Sequence, residues 1–213
     1  MIECENIKIE IDKKLILNDV SFKIKSGEKL LITGESGSGK TSLIRTLLFF
    51  ENFNGTIKYD GEKIGIENIE KYRSHIGYIG QKIPAFNQNV ESFLKIQNNF
   101  KANENKKFEA DRMLDLLGKL NFEKSILKTK FNNLSGGEKQ RIAVIGVLLL
   151  NKPIYIFDEI TSALDKKNID SLISVIMQET NTIISVSHNK EWERYCSRII
   201  KMERGEIIDD RLV

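Results

Sequence analysis

Gly34-Glu35-Ser36-Gly37-Ser38-Gly39-Lys40-Thr41 follows the pattern G-x-x-x-x-G-K-S/T, and its flanks constrain the fold as much as its letters do. Before it, Lys29-Leu30-Leu31-Ile32-Thr33 reads as a buried strand; after it, Ser42 to Phe50 carries helical rather than alternating hydrophobicity. A strand that turns through a glycine loop into a helix aims backbone N–H groups at one point, and the helix adds the positive end of its dipole. Glycines let that backbone wrap closely around an anion. Lys40 is then placed to reach the β and γ phosphates of a nucleoside triphosphate and Thr41 to ligate Mg²⁺, with Ser42 next to them on the cradle. A flexible Gly/Ser turn would explain the composition of the loop but not its context.

A second element is Ile154-Tyr155-Ile156-Phe157-Asp158-Glu159, four apolar residues running straight into two carboxylates. A buried parallel strand meets the ligand crevice at its C-terminal end in such folds. Asp158 is expected to hold Mg²⁺, directly or through water, and Glu159 to orient and deprotonate an attacking water. Alone, the pair would read equally well as an exposed acidic loop.

Leu134-Ser135-Gly136-Gly137-Glu138 opens another helical stretch. Its hydroxyl and accessible N–H groups also suit an anion, although Ser135 read by itself is first a helix N-cap. One loop suffices for one nucleotide. A second anion-binding helix start therefore points to a nucleotide held by another copy of the chain.

Around these motifs the chain alternates strand and helix, which gives an α/β fold with a mostly parallel sheet of the P-loop NTPase type. Ile7 to Ile11 and Val20 to Lys25 alternate apolar and charged residues and suggest antiparallel strands at the start; Gly55 to Ile64 reads as a hairpin about Asp60-Gly61, and His75 to Ile79 as a short strand. Residues 89 to 130 carry helical periodicity at Met113, Leu116, Leu117 and Leu120 and are read as an inserted helical subdomain. Residues 1–88 and 131–213 then form the core of a single domain. Lys101 to Lys107 reads as a solvated loop or polar helix face, interrupted by Glu104, with no interleaved aromatics to stack on bases.

Composition excludes several classes. The net charge of +3 over 213 residues is too mild to argue for nucleic acid. Cys4 and Cys196 form no CxxC pair and fit buried structural thiols, and with only two histidines a His-based metal centre is not expected. The longest apolar run, Ile142 to Leu150, is about half of the roughly 20 residues a membrane helix needs. No basic start precedes an apolar stretch at the N-terminus, so neither leader nor anchor is expected.

Taken together the motifs resemble the ATP-binding subunits of ABC transporters over nearly the whole chain. Leu134 to Arg141, L-S-G-G-E-K-Q-R, is similar to the signature of that family; Gln81 falls at its Q-loop, Ser162-Ala163-Leu164-Asp165 at its D-loop and His188 at its switch histidine. The resemblance implies Mg²⁺-dependent ATP hydrolysis in a head-to-tail dimer. Each ATP would lie between the Gly34–Thr41 loop of one subunit and Ser135–Gly137 of the other. It also implies roles for Gln81 toward Mg²⁺ or water, for His188 at the γ-phosphate and for Asp165, with Ser135 to Gly137, in binding the nucleotide. The partners implied are a second copy or a homologous ATPase subunit and transmembrane permease subunits, with the chain cytoplasmic and peripheral on the inner face of the membrane. No direct nucleic-acid partner is expected. The family often places an aromatic residue against adenine where this chain has Ile11, which can pack on a purine but supplies no π stacking. Asp158 to Asp165 and Tyr72-Arg73 look similar to iron-export ABC ATPases, and a non-transport member such as an iron–sulfur assembly ATPase stands as the alternative.

Overall fold

The alternating start of the chain forms β1 (Ile2–Ile11) and β2 (Lys14–Ile24), followed by β3 (Lys29–Thr33) and, across the glycine loop, α1 (Lys40–Leu47). Next come β4 (Asn54–Tyr59), β5 (Glu62–Lys63), α2 (Ile69–Ser74) and β6 (Ile76–Ile79). Among the described residues the order continues with α3 (Val90–Ile96), α4 (Ala110–Lys119), α5 (Gly136–Leu148), β7 (Ile154–Asp158), α6 (Lys166–Met177), β8 (Thr182–Val186), β9 (Arg198–Glu203) and β10 (Glu206–Leu212). The structure, a computed structural model, describes residues 1–96, 103 and 108–213. The Lys101–Lys107 run therefore lies outside the described residues apart from Asn103.

The chain divides into two units, the first made of Met1–Ile76, Pro153–Glu159 and Thr180–Val213 and the second of Gly77–Lys152 and Ile160–Glu179. In the first unit β2, β1, β4 and β5 make an antiparallel sheet in that order. The β4–β5 turn is the expected Asp60-Gly61 pair, with φ of 51° and 85°, both positive as a two-residue hairpin of this hand requires. A second sheet has β10, β9, β3, β8 and β7 side by side, parallel from β9 to β7 with β10 antiparallel at the edge. Every residue of β7 and β8 is buried, and so are Leu30, Leu31 and Ile32 of β3. Strands covered on both faces need such unbroken apolar runs, and each large side chain so buried contributes about 1.5–3 kcal/mol.

Two arginines brace this unit. Arg73 of α2 donates from Nε to Leu48 O at 2.8 Å and from Nη2 to Phe49 O at 2.7 Å, placing a cation on the carbonyls just past the end of α1. Arg198 of β9 grips Asp210 of β10 with two bonds of 2.6 Å and donates to Glu28 at 3.0 Å and to Lys23 O at 2.6 Å. Both cysteines are free and buried.

In the second unit, α5 is buried from Gln140 to its end at Leu148, all beyond its first turn, which explains why its hydrophobicity shows no single face. The amphipathic α4 buries Met113, Leu116 and Leu117, the periodic positions expected of it. Arg112, at the edge of that face, forms two bonds to the Glu179 carboxylate, at 2.8 and 2.9 Å. The segment after β6 is fastened by Phe131 N to Gln88 O at 2.9 Å and by rings of Phe93 and Phe131 stacked at 4.2 Å. Among the described residues no helix is long and apolar enough to cross a membrane.

Candidate functional site

The C-terminal ends of β3, β7 and β8 lie side by side in the first unit and carry most of the residues singled out from the sequence. The loop after β3 uses its glycines where side chains are excluded. Gly34, Gly37 and Gly39 have φ of 145°, 79° and 101°, values that L residues rarely adopt. A Cβ on Gly34 would meet Met202 O at 2.2 Å, and one on Gly39 would meet Leu17 Cδ2 at 2.9 Å. Glu35, Ser36 and Gly37 are exposed at the crown of the loop, while Ser38 is buried below it. Lys40, only 8% exposed, arches back so that Nζ donates to Gly34 O at 2.9 Å and to Glu35 O at 2.7 Å. The ammonium is thus held over the same span that the loop N–H groups line.

Thr41 Oγ1 stands 3.5 Å from Asp158 Oδ1, a separation at the outer limit of a hydrogen bond. Asp158 closes β7 and is 2% exposed. Burial and the neighbouring Glu159 charge raise its pKa, against the Thr41 hydroxyl and the Lys40 ammonium, which lower it. This is a desolvated carboxylate with less positive charge around it than it can use. Thr41 and Asp158 offer oxygen donors only, the set a hard cation takes. No cluster of three or more His, Cys, Asp or Glu suited to a metal occurs among the described residues.

Glu159 follows with φ of 53°, a left-handed conformation that a residue with a β-carbon adopts at a cost of about 1–3 kcal/mol. Its N–H donates to Val186 O at 2.9 Å, which fixes the turn against β8. Beyond β8, His188 Nδ1 lies 3.0 Å from Glu159 Oε2, and the imidazole is largely exposed. A carboxylate in this position can accept a proton from water, with the imidazole within ion-pair distance if it is protonated. Ser42 lies behind Thr41 in α1, half-buried. Ile11 ends β1 opposite Lys14 and is 50% exposed.

The remaining candidates belong to the second unit. Ser135 caps α5 in a reciprocal box: Glu138 N donates to Ser135 Oγ at 3.3 Å, while Ser135 N and Oγ donate to Glu138 Oε2 at 2.8 and 2.7 Å. These bonds hold the Glu138 carboxyl below its usual range. The N-cap reading of Ser135 is therefore correct, and it leaves Ser135 and Gly136 exposed. A Cβ on Gly137 would meet Leu164 Cδ2 at 2.9 Å and Ala163 O at 3.1 Å, so the start of α5 lies against the Ser162–Asp165 segment. Asp165 caps α6 through Asn168, whose backbone and side-chain N–H groups hold its carboxyl below the usual range. Gln81 is exposed just past β6. Sequence reasoning missed the backbone that walls the loop: Met202 O, Ile16 O and the turn at Gly205. The signal was available in Arg204-Gly205 between two apolar stretches.

This sheet, loop and helix arrangement is that of an ATP-binding cassette. A bacterial ABC transporter cassette solved as a dimer superposes with a TM-score of 0.87 at 25% identity, covering 100% of this chain and 98% of that one. A family model described as ABC transporter matches residues 17–162, and the chain belongs to the ABC transporter family. The energy-coupling factor transporter ATP-binding protein of Mycoplasmoides gallisepticum is 34% identical over 98% of this chain and 76% of its own length. The mitochondrial iron–sulfur clusters transporter of Candida albicans is 32% identical over 92% of this chain, and a probable ABC transporter ATP-binding/permease protein of Haemophilus influenzae 34% over 97%. Of those two proteins the chain spans 27% and 38%.

Proposed function

We propose that this chain is the Mg²⁺-dependent ATP-binding and ATP-hydrolysing subunit of a membrane transporter, working as a head-to-tail dimer. The observation that carries the reading is the pair of contacts at neighbouring strand ends, Thr41 to Asp158 at 3.5 Å and Glu159 to His188 at 3.0 Å, beside the Gly34–Thr41 loop. The loop N–H groups and Lys40 bind and orient the β and γ phosphates, and Lys40 exchanges two carbonyl partners for phosphate oxygens as it does so. Thr41 and Asp158 would hold a magnesium ion, which would neutralise charge on the phosphate oxygens, and the family resemblance gives Gln81 a role toward that ion or the attacking water. Glu159 takes the proton of the attacking water, and His188 orients that carboxylate and faces the γ-phosphate. Ser135, Gly136 and Gly137 serve the nucleotide of the partner copy, with Asp165 alongside at the interface.

Ile11 supports the purine by apolar contact alone. Transmembrane permease subunits are the further partners, which puts the chain on the inner face of the membrane. Support comes from the permease segments named in the Haemophilus relative and from the dimeric state of the solved cassette. The test is phosphate release from ATP by the purified chain, with magnesium and then with excess EDTA. Turnover that needs magnesium is expected. A chain that binds no nucleotide under either condition overturns the proposal.

A further inference from the structure

The β9–β10 turn reaches the phosphate loop from the far end of the chain. Gly205 N donates to Ser38 O at 3.0 Å, inside the loop, and Gly205 O accepts from Asn18 N of β2 at 2.9 Å. A Cβ built on Gly39 would lie 3.5 Å from Gly205 Cα, and one on Gly34 would run into Met202 O, the carbonyl of β9 just before the turn. From the exposed side, Asn18 Nδ2 donates to Glu206 Oε1 at 2.6 Å. Gly205 has φ of 83°, and a Cβ there would meet Ile16 O at 2.4 Å and Leu17 Cα at 3.2 Å. Those obstacles are backbone, so neither can swing aside. All of these residues belong to the first unit.

We propose that the β9–β10 turn is a built-in support of the phosphate loop and that Gly205 is a positioning residue for the nucleotide phosphates. The proposal rests on the reading of Gly34–Thr41 as the nucleotide site. Its physical basis is that the loop N–H groups are useful to phosphate only in one conformation, because a hydrogen bond weakens steeply once its donor is misaligned. A side chain at 205 must push either β2 or the turn away, and the Gly205–Ser38 bond passes that movement to the middle of the loop. Asn18 and Gly205 also hold β2 to the same point, so the hairpin that ends at Ile11 and the phosphate loop share one anchor.

Any left-handed turn glycine loses stability when replaced by alanine, and Gly61 supplies the control for that generic effect. It has φ of 85° in the β4–β5 turn, with nothing within 4 Å of an added Cβ. The experiment is titration of the full chain with a fluorescent ATP analogue in magnesium, together with melting curves and ATP turnover. Gly205→Ala should raise Kd about tenfold or more, the loss of one hydrogen bond to a charged group, with a smaller fall in kcat at saturating ATP because Glu159 and His188 stand on other strands. Gly61→Ala should lose melting temperature but keep its Kd.

If Gly205→Ala does not fold, Asn18→Ala, which strains no backbone, should raise Kd about three- to fivefold. Binding by Gly205→Ala within twofold of the unaltered chain, or an unchanged Kd in Asn18→Ala, overturns the inference alone. No binding by the unaltered chain overturns the nucleotide reading itself.

Discussion

Nδ1 of His188 and Oε2 of Glu159 are 3.0 Å apart, joining the residue after β7 to a residue just past β8. The two differ sharply in exposure, with side-chain values of 71% for His188 and 14% for Glu159. The carboxylate is thus the sheltered partner and the imidazole the one that a ligand can reach. In the proposed mechanism Glu159 is the base and His188 the group that aims it.

Replacing Glu159 by Gln keeps the shape and removes the base. ATP binding should persist while turnover falls by about 10²- to 10⁴-fold, and the ATP-bound dimer should accumulate. Phosphate release and sedimentation with ATP measure the two effects. Near-normal hydrolysis in this variant would sink the assignment of Glu159.

Ser135→Arg places a long cation on an exposed helix start that is proposed to serve the partner's nucleotide. ATP-dependent dimerisation should disappear while a monomer binds ATP as before. Sedimentation with ATP and titration of the monomer check this. An unaltered ATP dimer would show that Ser135 does not act in trans.

At the base, Ile11 gives contact area without a ring. ATP and GTP should therefore compete almost equally, and Ile11→Tyr should tighten ATP binding by about 0.5–1.5 kcal/mol. Displacement titrations of both nucleotides on both proteins provide the measurement. A strong ATP preference in the unaltered chain would refute the alignment of Ile11 with the purine.

Glu138 should leave a mark on acid stability. The Ser135 hydroxyl and N–H lower its folded pKa from the ordinary value of 4.5. A lowered carboxyl contributes stability that is present above 4.5 and lost as pH falls through the folded value. The stability difference between the unaltered chain and Glu138→Gln should therefore shrink as denaturant melts are repeated at descending pH below that point. A gap that stays constant into strong acid would contradict the bond pattern at the α5 cap.

Much of this architecture is readable from residues because burial on both faces of a parallel strand leaves an uninterrupted apolar run. Lys29–Thr33, Ile154–Asp158 and Thr182–Val186 each announce themselves in that way, and each ends where polar chemistry begins. The six-residue α2 is too short to show a period, so Arg73 could not be foreseen as the cap of α1. β10 escaped for another reason. As an edge strand it exposes Glu206, Asp210 and Arg211, and so reads as a polar tail until the Arg198–Asp210 pair places it. The wall of the phosphate loop is written in carbonyl groups of Ile16 and Met202, which every residue type possesses. Only the glycines facing that wall record its presence in the letters.

The left-handed backbone at Glu159 has a bearing on how such a chain would drift. Glycine adopts that conformation without penalty, and asparagine more readily than glutamate. A library sorted for heat resistance alone should therefore enrich glycine or asparagine at 159, yielding sturdier proteins that have stopped turning over ATP. Persistence of glutamate there in any lineage would be a record of selection for the reaction, kept against the pull of the fold.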